Sequence, residues 1–248
     1  MNLYFLKLLL APVLIYQGKQ VKRQTPRLPE ARGLRKGTQG TGQKQVRLLI
    51  LGDSAAAGVG VPHQNQAITG QILACFGPEY TVDWELMAKT GSTTAGTIGY
   101  IKSHPPSAFD VAVTSLGVND VKAGVTTKKW VAQQKELITL MREKFKIHHF
   151  IISAVPPMAL FPALPWPLNR YLGLCAAQMN QAVMKWLKTQ ADCEFMEFNL
   201  PMDSSLMADD GFHPGPALHT IWGQEAFHRI ARQWQDHPSA HTQQGKQS

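Results

Sequence analysis

Cysteine is scarce in this sequence of 248 residues, and clusters of metal-ligating side chains are lacking. The three cysteines are odd in number and lie far apart in the chain, at Cys75, Cys175 and Cys193. This usage argues against a disulfide framework and suits a reducing compartment. Because histidine, cysteine and acidic residues nowhere have the spacing of a metal site, we predict neither a metal nor a cofactor.

Acidic residues are nearly lacking from residues 1–47, which contain ten lysines and arginines and a single acid, Glu30. The formal net charge of +8 therefore belongs to this segment, since the rest of the chain has 15 basic and 16 acidic residues. A body so close to neutral gives little support to nucleic-acid binding. We predict no nucleic-acid partner.

Long apolar runs are lacking too. Leu3–Tyr16 is apolar apart from Lys7, but it is interrupted by Pro12. Fourteen helical residues reach about 21 Å, whereas the hydrocarbon core of a bilayer is about 30 Å thick. The stretch also lacks the charged start and the small-residue cleavage site of a signal peptide, so we expect neither a full membrane span nor secretion.

A basic run follows this apolar stretch, at Lys19, Lys22, Arg23, Arg27, Arg32, Arg35 and Lys36. An apolar segment followed by cations is typical of an interfacial anchor on an anionic leaflet. The alternative is a helix that packs on the protein's own body and continues into a solvated basic linker. On the first interpretation the body is cytoplasmic, with peripheral membrane contact through residues 3–36. The glycine-, threonine- and glutamine-rich Thr38–Gln43 is typical of a linker.

Strand-like and helix-like segments alternate from Val46 onward. The strand-like segments are Val46–Leu51, Thr81–Met87, Val111–Leu116, His149–Ala154 and Glu194–Phe198. The helix-like segments are Gln66–Phe76, Ala95–His104, Lys128–Phe145, Leu168–Gln190 and Leu218–Trp234. This alternation predicts an α/β fold, in which helices cover both faces of a mostly parallel five-stranded sheet.

The first of these strands ends in Gly52-Asp53-Ser54, and small residues follow as far as Gly60. Small residues let the backbone turn sharply and leave the serine uncrowded. If Ser54 opens a helical turn, its own N–H is free, so that one residue offers both a nucleophile and an oxyanion donor. The alternative is an ordinary strand-to-helix turn with a serine cap.

Polar or glycine-rich segments follow other strands as well. Lys89–Thr93, which contains Gly91, follows the second strand, and Gly117-Val118-Asn119-Asp120 follows the third. Asp209–Pro214, which contains Asp210 and His213, precedes the last helix. Each alone has a structural explanation as a turn or a cap. In a parallel sheet, however, groups after the strands meet at one edge, and an aspartate can fix the tautomer of a histidine in the same turn.

Together, Gly52-Asp53-Ser54, Gly91, Gly117-x-Asn119-Asp120 and Asp210-x-x-His213-Pro214 resemble the four blocks of the SGNH (GDSL-type) hydrolase family. The resemblance extends over about Val46–Trp234 and is strongest to the lysophospholipase/arylesterase-type branch. It implies a three-layer α/β/α fold of flavodoxin-like type. It also implies a serine nucleophile with a histidine base and no metal.

Carried over by position, the resemblance makes Ser54 the nucleophile, His213 the general base and Asp210 the acid that orients His213. The oxyanion hole would be the N–H groups of Ser54 and Gly91 with the side-chain amide of Asn119. We interpret Asp53 as a structural partner of backbone donors. Asp209 ranks below Asp210 because it lies four residues, rather than three, before His213. Two departures from the family, Ala55 for a frequent leucine and Val118 for a frequent glycine, remove no catalytic atom.

We accordingly divide the chain into a basic N-terminal segment with its linker at 1–44, an SGNH hydrolase-like domain at 45–236 and a polar tail at 237–248. The predicted function is hydrolysis of a small-molecule or lipid-derived carboxylic ester. The proline-rich, apolar Val155–Pro167 is interpreted as an acyl-binding wall or membrane-facing lip, or else as a loop packed over the sheet edge. Two functional alternatives stay open: a carbohydrate O-deacetylase on the same scaffold, and a non-catalytic membrane-associated binding module.

Overall fold

The structure, a computed structural model, describes residues 3–197 and 204–236. In these residues the strands are β1 Lys36–Gln39, β2 Lys44–Gly52, β3 Tyr80–Ala88, β4 Val111–Ser115, β5 His149–Ser153 and β6 Cys193–Met196. The helices are α1 Leu3–Gln24, α2 Ile68–Ala74, α3 Thr94–Ser103, α4 Val118–Lys122, α5 Thr127–Phe145, α6 Leu168–Leu187 and α7 Pro216–Asp236. The end of the predicted fifth strand, Phe198, and the polar tail 237–248 lie outside the described residues.

The six strands form one sheet in the order β1-β3-β2-β4-β5-β6. All neighbouring strands pair in parallel except β1, which pairs antiparallel with β3. The mostly parallel three-layer prediction is confirmed, with one strand more than the five expected. The additional strand was predicted in part as linker, because Lys36-Gly37-Thr38-Gln39 is short and polar and lies at an exposed edge. Such an edge strand carries no apolar alternation to reveal it.

Strand β2 shows how both faces of the sheet come to be buried. Leu48 and Ile50 pack with α2 and α7 on one face, whereas Leu49 and Leu51 pack with α3, α5 and α6 on the other. Because successive side chains of a strand point to opposite faces, a strand buried on both sides must be apolar at every position. This is why β2 appears in the sequence as a continuous apolar run.

The N-terminal helix α1 packs on α6 and on the lip Val155–Pro167. Leu14 is buried in the core on that side of the sheet. The amide of Gln17 donates to the carbonyl of Trp166 at 2.8 Å and accepts from the N–H of Leu168 at 3.2 Å. In the structure α1 therefore packs on the protein's own body, which was the second of the two interpretations of this segment. Among residues 3–197 and 204–236, no helix has the length and apolarity needed to cross a membrane.

Candidate active site

The site lies where the order of the sheet reverses. β3 and β4 flank β2 on opposite sides, which opens a crevice at the carboxyl ends of these strands. Ser54 follows β2, Gly91 follows β3 and Asn119 follows β4 in the first turn of α4. His213 reaches the same crevice from the turn before α7. The structure therefore brings to one edge four residues that are as much as 159 positions apart in sequence.

A series of tight turns over residues 54–60 positions Ser54. The N–H of Ala57 donates to the carbonyl of Asp53 at 3.0 Å, and the N–H of Val59 donates to that of Ser54 at 3.0 Å. Gly60 has φ +108°, and a Cβ there would lie 2.5 Å from the carbonyl oxygen of Pro214. Only glycine therefore lets this turn approach the segment that carries the histidine. Ser54 therefore opens a run of tight turns, and a regular helix was only one of the possibilities considered from the sequence.

Ser54, His213 and Asp210 form a continuous chain of hydrogen bonds. Ser54 Oγ lies 2.9 Å from His213 Nε2, and His213 Nδ1 lies 2.5 Å from Asp210 Oδ2. The other carboxylate oxygen of Asp210 accepts from the N–H groups of Phe212 and His213, each at 2.9 Å. Both oxygens of Asp210 are thus fixed by the turn that it shares with the histidine. Asp209, the second-ranked acid, is exposed to solvent.

The pKa of Asp210 is set by two opposing effects. Burial alone would raise it, but the hydrogen bonds from the His213 ring and from the two backbone N–H groups hold the pKa below its usual value. Asp210 is therefore ionised at neutral pH. An ionised carboxylate at Nδ1 keeps the imidazole in the tautomer that can accept a proton at Nε2, and it stabilises the cation that results.

Asn119 is held with its amide nitrogen toward the nucleophile turn. Nδ2 donates to the carbonyl of Ser92 at 3.0 Å and to Asp53 Oδ2 at 3.3 Å, while Oδ1 accepts from Lys122 Nζ at 3.4 Å. A lysine cannot accept a hydrogen bond, so its contact fixes which end of the amide is oxygen. Across the ranges that the structure describes, the N–H groups of Ser54 and Gly91 donate no hydrogen bond. Both are available to an oxyanion.

Asp53 is buried between the nucleophile and Asn119. Its Oδ1 accepts from the N–H of Ala55 at 3.1 Å, and its Oδ2 accepts from Asn119. Burial raises the pKa of Asp53 to about 6, although the Ala55 N–H and the charges of His213 and Lys122 act against this shift. Asp53 thus accepts from a backbone donor, as interpreted from the sequence. Its contact with Asn119 was not anticipated, since nothing in the spacing of the two motifs indicates it.

Asp120, the last residue of the third motif, joins two loops of the site. Its carboxylate accepts from the N–H of Thr94 at 3.0 Å and from the Thr94 hydroxyl at 3.0 Å. Trp130 Nε1 donates to the same hydroxyl at 3.0 Å. The carboxylate therefore satisfies the first free N–H of α3, whose own N-cap residue is Thr93. Together with the bond from Asn119 to Ser92, this contact fixes the Asn119 loop relative to the Gly91 loop.

A pocket that is open at its mouth lies beside Ser54 and His213. Its lining is mostly apolar and includes Val118, Ala154, Pro156, Phe161, Met207, Phe212, Leu218 and Trp222. Two of these side chains come from the proline-rich lip, which supplies part of the pocket wall. Sequence reasoning missed the contributions of Met207, Leu218 and Trp222. Their apolar character in the sequence does not distinguish a pocket lining from a core.

In the part of the chain that the structure describes, no group of three or more histidine, cysteine, aspartate or glutamate side chains is arranged to hold a metal ion.

Comparison with known proteins places this geometry in context. The sequence model of the GDSL-like lipase/acylhydrolase family matches residues 50–221. A comparison with curated protein sequences finds no match.

Several solved structures share the fold. A member of the lipolytic G-D-S-L family from Veillonella parvula has a TM-score of 0.61 at 15% identity, over 75% of this chain and 98% of that one. The carbohydrate acetylesterase Est24 from Sinorhizobium meliloti has a TM-score of 0.60 at 18% identity, over 76% and 99%. The psychrotrophic esterase EstA from Pseudoalteromonas has a TM-score of 0.55 at 19% identity, over 77% and 98%. At such identities the likeness establishes a common fold.

Proposed function

The chain belongs to the GDSL-like lipase/acylhydrolase family, and from this premise we propose that it is a serine esterase that cleaves carboxylic esters through an acyl-enzyme intermediate. The observation that carries the proposal is the hydrogen-bonded chain from Asp210 through His213 to Ser54. Its order matches that of a base-activated nucleophile whose base is oriented by a third group. The finer resemblance to the lysophospholipase/arylesterase-type branch stays a prediction.

In the first half of the reaction, Ser54 Oγ attacks the ester carbonyl carbon while His213 Nε2 takes the hydroxyl proton. The carbonyl oxygen gains a negative charge, which the N–H groups of Ser54 and Gly91 and the amide of Asn119 stabilise. Asn119 must then exchange one of its present acceptors, Ser92 O or Asp53 Oδ2, for the oxyanion. Collapse of the tetrahedral intermediate breaks the C–O bond, and His213 gives its proton to the leaving alcohol.

In the second half, His213 takes a proton from a water molecule, whose oxygen attacks the acyl carbon on Ser54. The same three donors stabilise the second oxyanion. Collapse of this intermediate returns the proton from His213 to Ser54 Oγ and releases the carboxylic acid. Asp210 stays ionised throughout and stabilises the imidazolium in each half of the reaction.

A serine-directed phosphonate carrying a fluorescent reporter tests the proposal. We expect the wild-type protein to be labelled covalently and the Ser54→Ala variant to stay unlabelled, because the phosphonate requires an activated serine oxygen. A wild-type protein that remains unlabelled at a high probe concentration, although correctly folded, would support the non-catalytic binding module instead.

The apolar pocket favours acyl groups with several methylenes over acetyl. Each methylene that the pocket buries contributes about 0.8 kcal/mol, which corresponds to about a fourfold rise in kcat/KM. We therefore expect kcat/KM for p-nitrophenyl esters to increase from acetate through butyrate to hexanoate and to level off when the pocket is full. The Ala154→Leu variant, which fills part of the pocket, should lower kcat/KM for hexanoate much more than for acetate.

The exposed alanine of α6, Ala177, provides a matched control, since Ala177→Leu adds the same side chain far from the pocket. It should leave the chain-length profile unchanged. A wild-type profile that falls from acetate onward, together with release of acetate from an acetylated sugar, would contradict the acyl-pocket assignment. That outcome would favour the carbohydrate O-deacetylase alternative.

We also propose that the face of α1 turned away from the protein contacts an anionic membrane surface. Opposite the buried Leu14, the side chains of Leu9, Val13 and Tyr16 are 68%, 44% and 68% exposed. They recur at helical spacing and so share one side of α1. Trp166 of the lip is 77% exposed, and its carbonyl is bonded to Gln17 of the same helix. These apolar side chains form an exposed apolar surface that the body does not cover.

Cations adjoin this exposed apolar surface. Lys19, Lys22, Arg23 and Arg27 line a shallow concavity at the end of α1. The nearest acid in sequence is Glu30, which is paired with Arg35. Among the residues that the structure describes, these four cations have no acidic partner. Apolar side chains beside such cations fit the boundary of a bilayer that contains anionic lipids, where each cation adds about 1 kcal/mol.

Vesicle sedimentation tests this surface. Lys19→Glu combined with Arg23→Glu should lower the affinity for phosphatidylcholine vesicles containing phosphatidylglycerol by at least about tenfold, and Trp166→Ser should lower it less. Added salt should weaken wild-type binding through screening. The matched controls are Lys128→Glu with Lys129→Glu and, for the aromatic change, Tyr100→Ser, since these residues are exposed elsewhere. Equal losses in the control variants, or equal binding to neutral vesicles, would refute the proposal.

A further inference from the structure

Glu30, the lone acid of the basic N-terminal segment, contacts the loop that carries Gly91. Its Oε1 accepts from both the N–H and the hydroxyl of Thr90, each at 2.7 Å. Its Oε2 accepts from Arg35 NH1 at 3.0 Å, and Arg35 NH2 donates to the carbonyl of Ala88 at 2.9 Å. One carboxylate and its arginine partner therefore hold the backbone on both sides of Lys89, directly before Gly91.

This loop has little packing to hold it in place. Lys89, Thr90 and Gly91 are all exposed, and Gly91 has φ +82°, with no heavy atom within 4 Å of where a Cβ would lie. The backbone bonds of the loop that tie it to its surroundings include one from Lys89 N–H to Gly52 O, at 3.3 Å. The direction of the Gly91 N–H therefore depends on hydrogen bonds on both sides of it. Asn119 Nδ2 donates to the carbonyl of Ser92 at 3.0 Å after Gly91, and Glu30 makes the two charge-assisted bonds with Thr90 before it.

Glu30 is itself anchored to the turn that carries the nucleophile. The N–H of the next residue, Ala31, donates to the carbonyl of Ala57 at 3.2 Å. The side-chain amide of Gln64 donates to the carbonyls of both Ala31 and Ala57, at 3.2 and 3.0 Å. The backbone beside Glu30 and the turn after Ser54 thus share a common set of bonds.

From these contacts we infer that Glu30 is a positioning residue, which fixes the Gly91 N–H relative to Ser54 and thereby completes the oxyanion hole. The inference rests on the proposed esterase function. Glu30 touches neither substrate nor reacting atoms and acts through Thr90. Burial would raise the pKa of Glu30, but the bonds from Thr90 and Arg35 lower it, so the carboxylate is ionised at neutral pH and its bonds are charge-assisted.

Steady-state kinetics of Glu30 variants on p-nitrophenyl butyrate test the inference. Glu30→Ala should lower kcat by about 10- to 100-fold with KM little changed, because a small displacement of one donor weakens transition-state binding more than ester binding. Glu30→Gln, whose amide oxygen can still accept from Thr90, should recover most of this loss. The rate of phosphonate labelling should fall in parallel with kcat, since that reaction also develops charge in the oxyanion hole.

The matched control is Glu136→Ala. It removes a solvent-exposed glutamate of α5 that pairs at 2.7 Å with Lys102 of α3. Its kcat should equal that of the wild type. A Glu30→Ala protein with a lower Tm but wild-type kcat, measured where it is fully folded, would reduce Glu30 to a structural role and overturn the inference. If Glu30→Ala does not fold, wild-type kcat in a folded Glu30→Met protein, whose side chain has a similar length but no oxygen to accept from Thr90, would overturn it. Wild-type protein without esterase activity would instead refute the proposed function.

Discussion

Replacing Ser54 with alanine is expected to lower kcat for ester hydrolysis by about 10⁶-fold, and replacing His213 with alanine should have an effect of the same size. Loss of either partner ends activation of the nucleophile, since Ser54 Oγ and His213 Nε2 form one 2.9 Å hydrogen bond. The double variant should be no worse than the single ones, because the pair acts as a unit. Purified variants assayed on p-nitrophenyl butyrate, with Tm as the check on folding, give the comparison.

Asp210→Asn should lower kcat by about 10⁴-fold, which is less than the loss of the base itself. An asparagine can present its amide nitrogen to His213 Nδ1 and so favour the wrong tautomer. The neighbouring Asp209 is an internal control, because it is exposed and belongs to the same turn. Asp209→Asn should change kcat by less than about twofold. If Asp209→Asn were the more damaging change, the orienting acid would be misassigned.

Much of the candidate site could be predicted from the sequence, because this fold places functional side chains just after the carboxyl ends of its strands. Three site segments, those that carry Ser54, Gly91 and Asn119, follow apolar strands, and parallel strands deliver such ends to one edge. Spacing predicted that an aspartate and His213 share a hydrogen bond within one turn, with Asp209 as a competitor, and the resemblance to a known family singled out Asp210. The resemblance to a known family then linked segments that spacing alone cannot link.

The N-terminal segment could not be predicted in the same way. Its strand β1 is polar, and its charges suggest a solvated linker. In the structure, β1 pairs with β3, and Glu30 contacts Thr90 across 60 positions of sequence. A long-range hydrogen bond made by one half-buried acid leaves no periodicity to detect. Removal of residues 1–43 would therefore delete an edge strand and the Glu30 contact, in addition to any membrane-binding side chains.

Asp120 illustrates a different limit. An acid after a strand predicts a cap of the following helix or a local turn. Asp120 instead lies within α4 and accepts from the first N–H of α3, at Thr94, 26 residues earlier in the chain. Residue type indicated the chemistry of the contact correctly, but only the arrangement of β3 and β4 about β2 determines which helix receives it.

A further large effect is expected for Asn119→Ala, which should lower kcat by about 10²- to 10³-fold. The amide of Asn119 is the one neutral side-chain donor among the three proposed for the oxyanion. Without this amide, the developing negative charge keeps only the N–H groups of Ser54 and Gly91. The ester in its ground state carries little charge and depends much less on the amide of Asn119. KM should therefore stay within about threefold, and the loss should appear in kcat.

Asn119 also bridges Ser92 and Asp53, so its removal must be separated from a loss of structure. Gln39→Ala is the control: the amide of Gln39 donates to the carbonyl of Leu73 at 2.8 Å, and Gln39 pairs with Val82 near the start of β3, whereas Gly91 follows the end of that strand. We expect it to lower Tm with little change in kcat of the folded protein. Asn119→Ala should instead lower kcat and leave Tm little changed. A fall in Tm with unchanged kcat for Asn119→Ala would show that this residue only stabilises the loop. The oxyanion would then depend on the backbone N–H groups of Ser54 and Gly91 alone.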